Sequence, residues 1–301
     1  MHLTRRPYVG KVDLPAILDL IRAAPPLSRH LIDFPWRLCS PTVHTPADAR
    51  VWTEPDGTVL GFAAWQNTWA ALDFYVRPGH YRQEVEVGIF DWASERFRAL
   101  DIERGHPLPY WAEASEHDSE RLALLADHGY TLDDEYVYIM LSRTLVEPLR
   151  RHVPPDGFVI RPLAGGDEVD NYVKLHRRAF ASTSITATWR TETLLMPQYR
   201  PELDLVGIAP DGRMAGFCIG WLAPEQHAVQ IEPAGVDPEF QRLGLGRALM
   251  FELFQRCKAL GVEHVFVETD SGRWSARRAY EAVGFRPAYQ SLRKGKLLST
   301  A

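Results

Sequence analysis

The sequence lacks most features that mark membrane, secreted or nucleic-acid-binding proteins. Its only cysteines are Cys39, Cys218 and Cys257, and their odd number and wide spacing favour free thiols in a reducing compartment over a disulfide or zinc site. No apolar run reaches membrane-spanning length, and no apolar segment follows the basic N-terminus as in a secretory signal. The net charge of -5 argues against a general nucleic-acid binder, since phosphate neutralisation needs a basic surface. These absences predict a cytoplasmic protein with neither a nucleic-acid nor a membrane partner.

The composition that is present is that of an ordinary globular protein, with 46% apolar and 24% charged residues. A length of 301 residues allows one large domain or two medium ones. Residues 142–157 contain several prolines, several charged residues and a glycine without helical periodicity, as is typical of a linker. We therefore predict domains at 1–146 and 158–301, joined by a linker at 147–157.

The two predicted domains share a diverged repeat. Each opens with a helix signal and then has a Pro-Asp-Gly turn between apolar runs, at 55–57 and at 210–212, which indicates a β-hairpin. Each continues with a helix, a strand, a second helix that ends at Gly129 or Gly284, and a final strand. This order predicts an α/β fold of the mixed α+β type used twice, each copy a central mixed sheet flanked by helices.

A glycine-containing loop at 241–247 lies between a predicted strand and a predicted amphipathic helix. The first amides of such a helix have no intrahelical partners and, with the positive end of the helix dipole, suit an anion. Gly244 and Gly246 lack a Cβ, so a phosphate can approach the main chain, and Arg242 and Arg247 could add charged contacts. On this spacing alone, a simple turn and helix cap is an equally good interpretation.

Two common nucleotide motifs do not fit the loop. A dinucleotide fingerprint needs a third glycine where Leu249 stands, and a P-loop needs Gly-Lys followed by Ser or Thr. A longer pattern does fit: Val236-x-Pro238-x-x-Gln241-x-x-Gly244-x-Gly246, then Ala276-x-x-Ala279-Tyr280-Glu281-x-x-Gly284-Phe285, resembles the GNAT superfamily of N-acetyltransferases. The resemblance covers about residues 158–292. The internal repeat extends it to the whole chain, as in tandem two-domain members such as mycothiol synthase.

This resemblance implies an acetyl-CoA-dependent N-acetyltransferase with one active site, in the C-terminal domain. Acetyl-CoA would be the co-substrate, and the acetyl group would pass to a primary amine of a small molecule by direct attack in a ternary complex. No cysteine lies in the motifs to support an acyl-enzyme. Two alternatives stay open, a non-catalytic acyl-CoA sensor or scaffold and a protein N-acetyltransferase. The sequence leaves the acceptor open, and the protein could be a monomer or a homodimer.

The residues expected to contact the coenzyme fall in three places: the end of a strand, the glycine loop and the turn before the last helix. They are Ala234, Gly235, Val236, Gln241, Arg242, Leu243, Gly244, Leu245, Gly246, Arg247 and Arg273. Arg273 departs from the family, which often has Asn seven residues before the tyrosine. This departure puts a usual contact to the pantetheine arm in doubt, and Arg273 could reach a phosphate instead.

Tyr280 and Glu232 are the predicted catalytic residues. The resemblance implies that the Tyr280 hydroxyl points at the coenzyme sulfur and acts as the acid, although an aromatic on the core face of a helix is the alternative. Glu232 precedes Val236 by four residues, so strand alternation places both on one face, where Glu232 could act as base. Pro233 and Gly235 predict a bulge that exposes nearby amides. A solvated Glu232, another carboxylate or a water remain open.

Other polar residues near the motifs are weaker candidates. Gln230 shares the predicted face of Glu232 and could orient a water, whereas His227 lies in a predicted turn and is expected to be solvated. Glu268 or Asp270 could be a second base or an anchor for the amine, but we prefer Asp270 or Ser271 as the cap of the last helix. Three tryptophans could line the acceptor pocket or belong to the core: Trp189, Trp221 and Trp274.

The N-terminal copy is predicted to be degenerate. Aligning the repeats by eye places Glu84 and Glu86 where the loop glycines stand, and two carboxylates there would repel a pyrophosphate. A separate alignment, of Gly129-Tyr130 with Gly284-Phe285, places Leu125 opposite Tyr280. The N-terminal copy would therefore lack both the cradle and the acid.

Overall fold

The computed structural model describes residues 3–24, 30–146, 149 and 152–298. Of the predicted linker at 147–157, residues 147, 148, 150 and 151 lie outside the described residues. The chain divides into two compact units. Unit 1 comprises Met1–Leu31, Ser40–Tyr138 and Tyr289–Ala301, and unit 2 comprises Ile32–Cys39 and Ile139–Ala288.

This division does not follow chain order as the sequence-based domain bounds do. The short segment Ile32–Cys39 belongs to unit 2, where Trp36 is buried and its ring centroid lies 5.1 Å from that of Trp189. The Trp189 indole also donates a hydrogen bond to the Trp36 carbonyl at 3.0 Å. At the other end, residues after Ala288 belong to unit 1. Packing partners decide where such short segments lie, and their sequence carries no periodic signal for it.

The chain contains 13 strands and eight α-helices within the described residues. In chain order they are β1 (Thr4–Pro7), α1 (Gly10–Arg22), α2 (Phe34–Leu38), β2 (Ala49–Thr53), β3 (Val59–Gln66), β4 (Ala71–Val76), α3 (Arg82–Arg104), β5 (Tyr110–Ser115), α4 (Ser119–Asp127), β6 (Leu132–Asp133), β7 (Tyr138–Thr144), β8 (Val159–Pro162), α5 (Val169–Phe180), α6 (Ala187–Leu194), β9 (Asp204–Ile208), β10 (Met214–Ala223), β11 (Ala228–Val236), α7 (Leu245–Ala259), β12 (His264–Asp270), α8 (Trp274–Ala282) and β13 (Arg286–Lys296). Within the described ranges, every helix is too short or too polar to cross a membrane.

Unit 1 is built on a mixed sheet with strand order β1-β2-β3-β4-β5-β13. Strands β4 and β5 run parallel, the other described neighbours in this order pair antiparallel, and β6 adds a short antiparallel pair to β13. The predicted hairpin at 55–57 is confirmed, because it joins the antiparallel strands β2 and β3. Helix α3 buries its apolar face on this sheet, in a core that includes Trp65, Phe74, Phe90, Phe97 and Tyr110.

Unit 2 has the same plan, with strand order β7-β12-β11-β10-β9-β8. The parallel pair is β11–β12, and the hairpin predicted at 210–212 joins the antiparallel strands β9 and β10. Helix α5 packs on one face of the sheet, where its Tyr172 and His176 rings lie beside Phe217. Helix α7 packs on the opposite face, because it contacts Gly216, the residue next to Phe217 in the strand. The predicted fold, two mixed sheets flanked by helices, is confirmed.

Helix α7 lies close to its sheet, and this positions the loop before it. The predicted apolar spacing is confirmed at positions 245, 249, 253 and 257, which are buried, but not at Leu260, which follows the helix and is 46% exposed. Three strand glycines make room for the leucines, because an added Cβ would come within 2.9–3.2 Å of them: Gly207 for Leu245, Gly216 for Leu249 and Gly220 for Leu253. The start of α7 is thereby fixed beside the end of β11.

Candidate coenzyme cleft and active site

The parallel strands β11 and β12 separate halfway along their length. They pair from Ala228 opposite His264 to Ile231 opposite Val267, and each then continues as a strand. On the other side, β10 pairs Gly220 with Ile231 but Cys218 with Ala234, so β11 has one extra residue there. The predicted bulge is therefore confirmed, at Glu232–Pro233. It turns β11 away from β12 and opens a gap that peptide groups of residues 234–236 face.

The loop before α7 has an unusual backbone conformation. Gly244 is the N-cap of α7 with φ of 94°, and Arg242 has φ of 64°, so two residues of the loop are left-handed. Alternating left-handed and right-handed residues turn successive amide groups toward one side and form an anion-binding nest. No side chain caps Gly244, and the Gln241 amide ties the loop to the Val236 carbonyl at 3.1 Å. The geometry is that of an anion cradle rather than a plain helix cap.

A buried carboxylate anchors the segment between β11 and this loop. Asp237 is 2% exposed, and its amide donates to the Ala215 carbonyl at 2.9 Å. Its side chain accepts from the Glu239 amide at 3.1 Å and from Arg178 of α5 at 2.8 Å. Because both main chain and side chain are held, the path into the loop is fixed before any ligand binds.

A single cavity of about 780 Å³ joins the strand gap, the loop and α8. All the residues predicted to contact the coenzyme line it, together with Tyr280: Ala234, Gly235, Val236, Gln241, Arg242, Leu243, Gly244, Leu245, Gly246, Arg247 and Arg273. Among these described lining residues, the charged ones are the three arginines, with no Asp or Glu. The cavity therefore suits an elongated anionic ligand.

One wall of the cavity is aromatic, and no sequence motif predicted it. Phe180 from α5 and Phe217 from β10 line it, and the Arg273 guanidinium lies 5.2 Å from the Phe180 ring centroid. Gly235 faces Phe217 so closely that an added Cβ would lie 2.8 Å from the ring. Ala276 and Ala279 of α8 also line the cavity. These alanines belong to the recognised motif, but neither phenylalanine does, since each is brought in by another element.

The Tyr280 hydroxyl keeps its proton at the edge of this cavity. The residue is half-buried and lines the cavity, with its ring 5.9 Å from that of Phe285. Burial raises the pKa of Tyr280 well above its usual range, the nearby Cys218 and Glu232 raise it further, and Arg273 opposes them. The hydroxyl therefore stays protonated across the physiological range.

Glu232 is not among the residues that line this cavity. The bulge interrupts strand alternation between Glu232 and Val236, so the expectation that they share a face fails at that point. The Glu232 carboxylate is nonetheless close enough to help raise the pKa of both Tyr280 and Tyr172. Its carbonyl accepts a hydrogen bond from the Trp221 indole at 2.7 Å, which holds the bulge. Glu232 thus lies near Tyr280 and outside the cavity.

The structure places the weaker candidate residues in different environments. Gln230 is buried, and His227 is exposed in its turn, as predicted. The preference for Asp270 or Ser271 as a helix cap is wrong: α8 begins at Trp274 after Arg273, and the Asp270 carboxylate instead accepts from the Gly272 amide at 3.0 Å. The predicted tryptophans do not line the described cavity, because two are core residues and one is 63% exposed: Trp189, Trp221 and Trp274.

His176 of α5 supports the aromatic wall from behind. Its ring stacks on Phe217 at 5.5 Å with an interplanar angle of 17°, and burial, with Arg190 and Arg177, lowers its pKa to about 4. Since this pKa is below the value of about 6.5 in the unfolded chain, the unfolded state binds the proton more readily. The stabilisation by neutral His176 is present above pH 6.5 and is lost as the pH falls toward 4.

We expect His176→Phe to remove this pH dependence. The free energy of unfolding of the unaltered protein should lose about 2–3 kcal/mol between pH 7 and pH 4.5 through His176 alone. Urea unfolding at both pH values should show a loss smaller by that amount in His176→Phe. The exposed His264→Phe serves as the control, with the unaltered pH dependence. Equal losses in all three proteins would contradict the assignment.

Known proteins resemble this chain in the region that forms the cleft. The sequence profile of the Acetyltransferase (GNAT) family matches residues 171–285, which include the bulge, the loop and Tyr280. A mycothiol acetyltransferase from Clavibacter michiganensis subsp. michiganensis is 30% identical over 223 residues, 72% of this chain and 69% of that protein. A mycothiol acetyltransferase from Salinispora arenicola is 27% identical over 304 residues, 94% of this chain and 93% of that protein.

Among solved structures, a tandem GNAT protein from the clavulanic acid biosynthesis pathway covers 100% of both chains with a TM-score of 0.66. Its sequence identity is 15%, so it shows the shared fold alone. Together with the sequence matches, the paired mixed sheets and the cleft define the class of protein, a transferase. The chain belongs to the acetyltransferase (GNAT) family.

Proposed function

We propose that the protein is an acetyl-CoA-dependent N-acetyltransferase that acts on a primary amine of a small molecule. The observation that carries this proposal is the single cavity in which an anion cradle, a strand gap and the Tyr280 hydroxyl meet. The pyrophosphate would bind at the nest of residues 241–246, near Arg242 and Arg247. The pantetheine arm is amide-bearing and extended, so it matches the strand gap beside residues 234–236.

The chemistry needs one proton removed and one supplied. The neutral amine nitrogen attacks the thioester carbonyl carbon, a C–N bond forms, and the C–S bond breaks in the collapse of the tetrahedral intermediate. Glu232 would take the proton from the amine, directly or through a water. Tyr280 would donate its proton to the leaving thiolate and regain one from solvent. Because both nucleophile and thioester are held together, no covalent enzyme intermediate is required.

The names of the relatives, and not the shape of the cavity, indicate which amine acceptor to test first. Proteins called mycothiol acetyltransferase are 27–30% identical to this chain, so the mycothiol precursor that lacks the acetyl group heads our panel of amines. A coenzyme A release assay should compare it with amino acids, polyamines, amino sugars and aminoglycosides. Turnover of any one supports the enzyme. Tight acetyl-CoA binding with no release by any amine would favour a sensor, and release with peptide amines alone would favour a protein acetyltransferase.

We expect Glu232→Gln to lower kcat/KM by about 10- to 100-fold at neutral pH, because the amine is then mostly protonated and needs a base. The deficit should shrink as the pH approaches the pKa of the amine, where the substrate arrives already neutral. The pH–rate profile of Glu232→Gln checks this, with the exposed Glu225→Gln of the same unit as a matched loss of charge. Equal activity of the two variants at neutral pH would assign the proton to another carboxylate or to water.

A further inference from the structure

Unit 1 has a strand separation like that of unit 2. Strands β4 and β5 pair in parallel only at Ala71 with Trp111 and Leu72 with Ala112, although β4 continues to Val76 and β5 to Ser115. The register between β3 and β4 is regular, so no bulge accompanies this separation. Unit 1 therefore retains the place where unit 2 has its coenzyme cleft.

The side chain of Arg121 bridges the separated strands of unit 1. Arg121 of α4 donates from Nε to the Glu113 carbonyl of β5 at 2.7 Å and from Nη1 to the Phe74 carbonyl of β4 at 3.3 Å. The Arg121 guanidinium also lies 3.7 Å from the Phe74 ring centroid. Carbonyl groups past the point of separation, which an inserted ligand would have to reach, are thus already bonded to Arg121.

The corresponding residue of unit 2 is small. Helices α4 and α8 are each followed by a left-handed glycine, Gly129 or Gly284. Arg121 stands eight residues before Gly129, and Ala276 stands eight before Gly284. Ala276 lines the open cavity of unit 2. At one position of the repeat, alanine leaves the cleft open and arginine fills it.

The helix that follows β4 also lacks a cradle, for a different reason than the sequence alignment gave. Helix α3 begins at Arg82 with Tyr81 as N-cap, so Tyr81 and not Glu84 takes the place of Gly244, and the alignment by eye was wrong. Glu84 and Glu86 lie within the helix, where Arg82 pairs with Glu86 at 2.8 Å. The N-cap of α3 is therefore a right-handed tyrosine, whereas the N-cap of α7 is a left-handed glycine.

We propose that Arg121 closes the coenzyme cleft of unit 1 from within, as an internal substitute for the ligand, so that the chain binds one coenzyme molecule. This inference rests on the proposed function, since it presumes that the open cleft of unit 2 binds acetyl-CoA. The guanidinium supplies hydrogen-bond donors and a flat face for Phe74, which together satisfy both edges of the gap. The duplicated fold keeps its strand separation without a second binding event.

Binding stoichiometry and hydrogen exchange test the single site. Calorimetric titration with acetyl-CoA should give one equivalent per chain, and Gly244→Glu should give none. In the unaltered protein, acetyl-CoA should slow amide exchange in residues 234–236 and leave residues 74–76 unchanged. Two equivalents, or slowed exchange in residues 74–76, would overturn the inference. Failure of the unaltered protein to bind acetyl-CoA would instead overturn the proposed function.

Chemical rescue tests the role of Arg121. Arg121→Ala should lower Tm by about 2–6 °C, because two carbonyls lose their donor. Millimolar ethylguanidinium should raise the Tm of Arg121→Ala more than it raises the Tm of the unaltered protein. Ethylammonium should not have this selective effect. Arg121→Lys keeps the positive charge but loses the planar guanidinium with its several donors. It should therefore recover at most part of the Tm that Arg121→Ala loses. Equal stability of Arg121→Lys and the unaltered protein, or no selective rescue by ethylguanidinium, would overturn the internal-substitute role.

Discussion

Gly244→Glu should weaken acetyl-CoA binding by at least about 100-fold, which corresponds to about 3 kcal/mol. Two effects combine at this residue. Its φ of 94° lies in the left-handed region, where a side chain costs about 1 kcal/mol or more. The introduced carboxylate would also stand at the N-cap of α7, where it occupies the helix amides and repels the pyrophosphate. The variant keeps the fold because nothing lies within 4 Å of the added Cβ.

The control for this change is a second left-handed glycine of unit 2. Gly212 has φ of 86° in the exposed turn between β9 and β10, and nothing lies within 4 Å of a Cβ added there. Gly212→Glu therefore introduces the same charge and similar strain away from the cavity. Thermal stabilisation by acetyl-CoA should persist in Gly212→Glu and vanish in Gly244→Glu. If Gly244→Glu is stabilised as strongly as its control, the nest is not the coenzyme site.

Tyr280→Phe should lower kcat by about 100- to 1,000-fold and leave the KM for acetyl-CoA nearly unchanged. The ring, its packing beside Phe285 and the cavity wall remain, so the loss is confined to the hydroxyl. That hydroxyl carries its proton at working pH, as an ordinary tyrosine does, and burial, with Cys218 and Glu232, raises the pKa of Tyr280 further. Without this donor the thiolate must leave unprotonated or wait for water.

Steady-state kinetics with the best amine of the panel, with kcat and KM separated, checks this prediction. Tyr136→Phe provides the matched control, since Tyr136 is 47% exposed and lies in unit 1. A kcat for Tyr280→Phe within about threefold of that control would show that another group or water protonates the thiolate. A rise in KM with unchanged kcat would make Tyr280 a binding residue rather than an acid.

The sequence predicted those parts of the fold that depend on local periodicity and backbone freedom. Helix α7 could be bounded to within a residue, because apolar residues recur at helical spacing after a glycine. Both hairpins followed from their Pro-Asp-Gly turns. The bulge followed from Pro233 and Gly235, which weaken a strand ladder wherever they stand. The loop residues could be recognised because they belong to one contiguous motif that resembles the GNAT superfamily. Its expected contacts are made by main-chain amides of the same segment.

Long-range placement could not be read in the same way. Phe180 and Phe217 come from separate elements, and their meeting with Gly235 depends on how α5 packs on the sheet. Strand alternation placed Glu232 beside Val236, but the bulge changed the count of residues and put Glu232 outside the cavity. The cap predicted at Asp270 failed because the chain makes one more turn before α8 begins.

By itself, the sequence determined that unit 2 has a glycine loop at the start of a helix, because a left-handed backbone there favours glycine. The lack of a matching loop in the N-terminal copy was predicted from a mistaken alignment, and the structure shows instead that Tyr81 is the N-cap of α3. Only the tertiary structure decided how the second cleft is closed. A strand separation is open or filled according to which side chain reaches across it, and Arg121 reaches Phe74 and Glu113 from a different element. Such a contact joins residues far apart in the chain, so local pattern alone does not encode it.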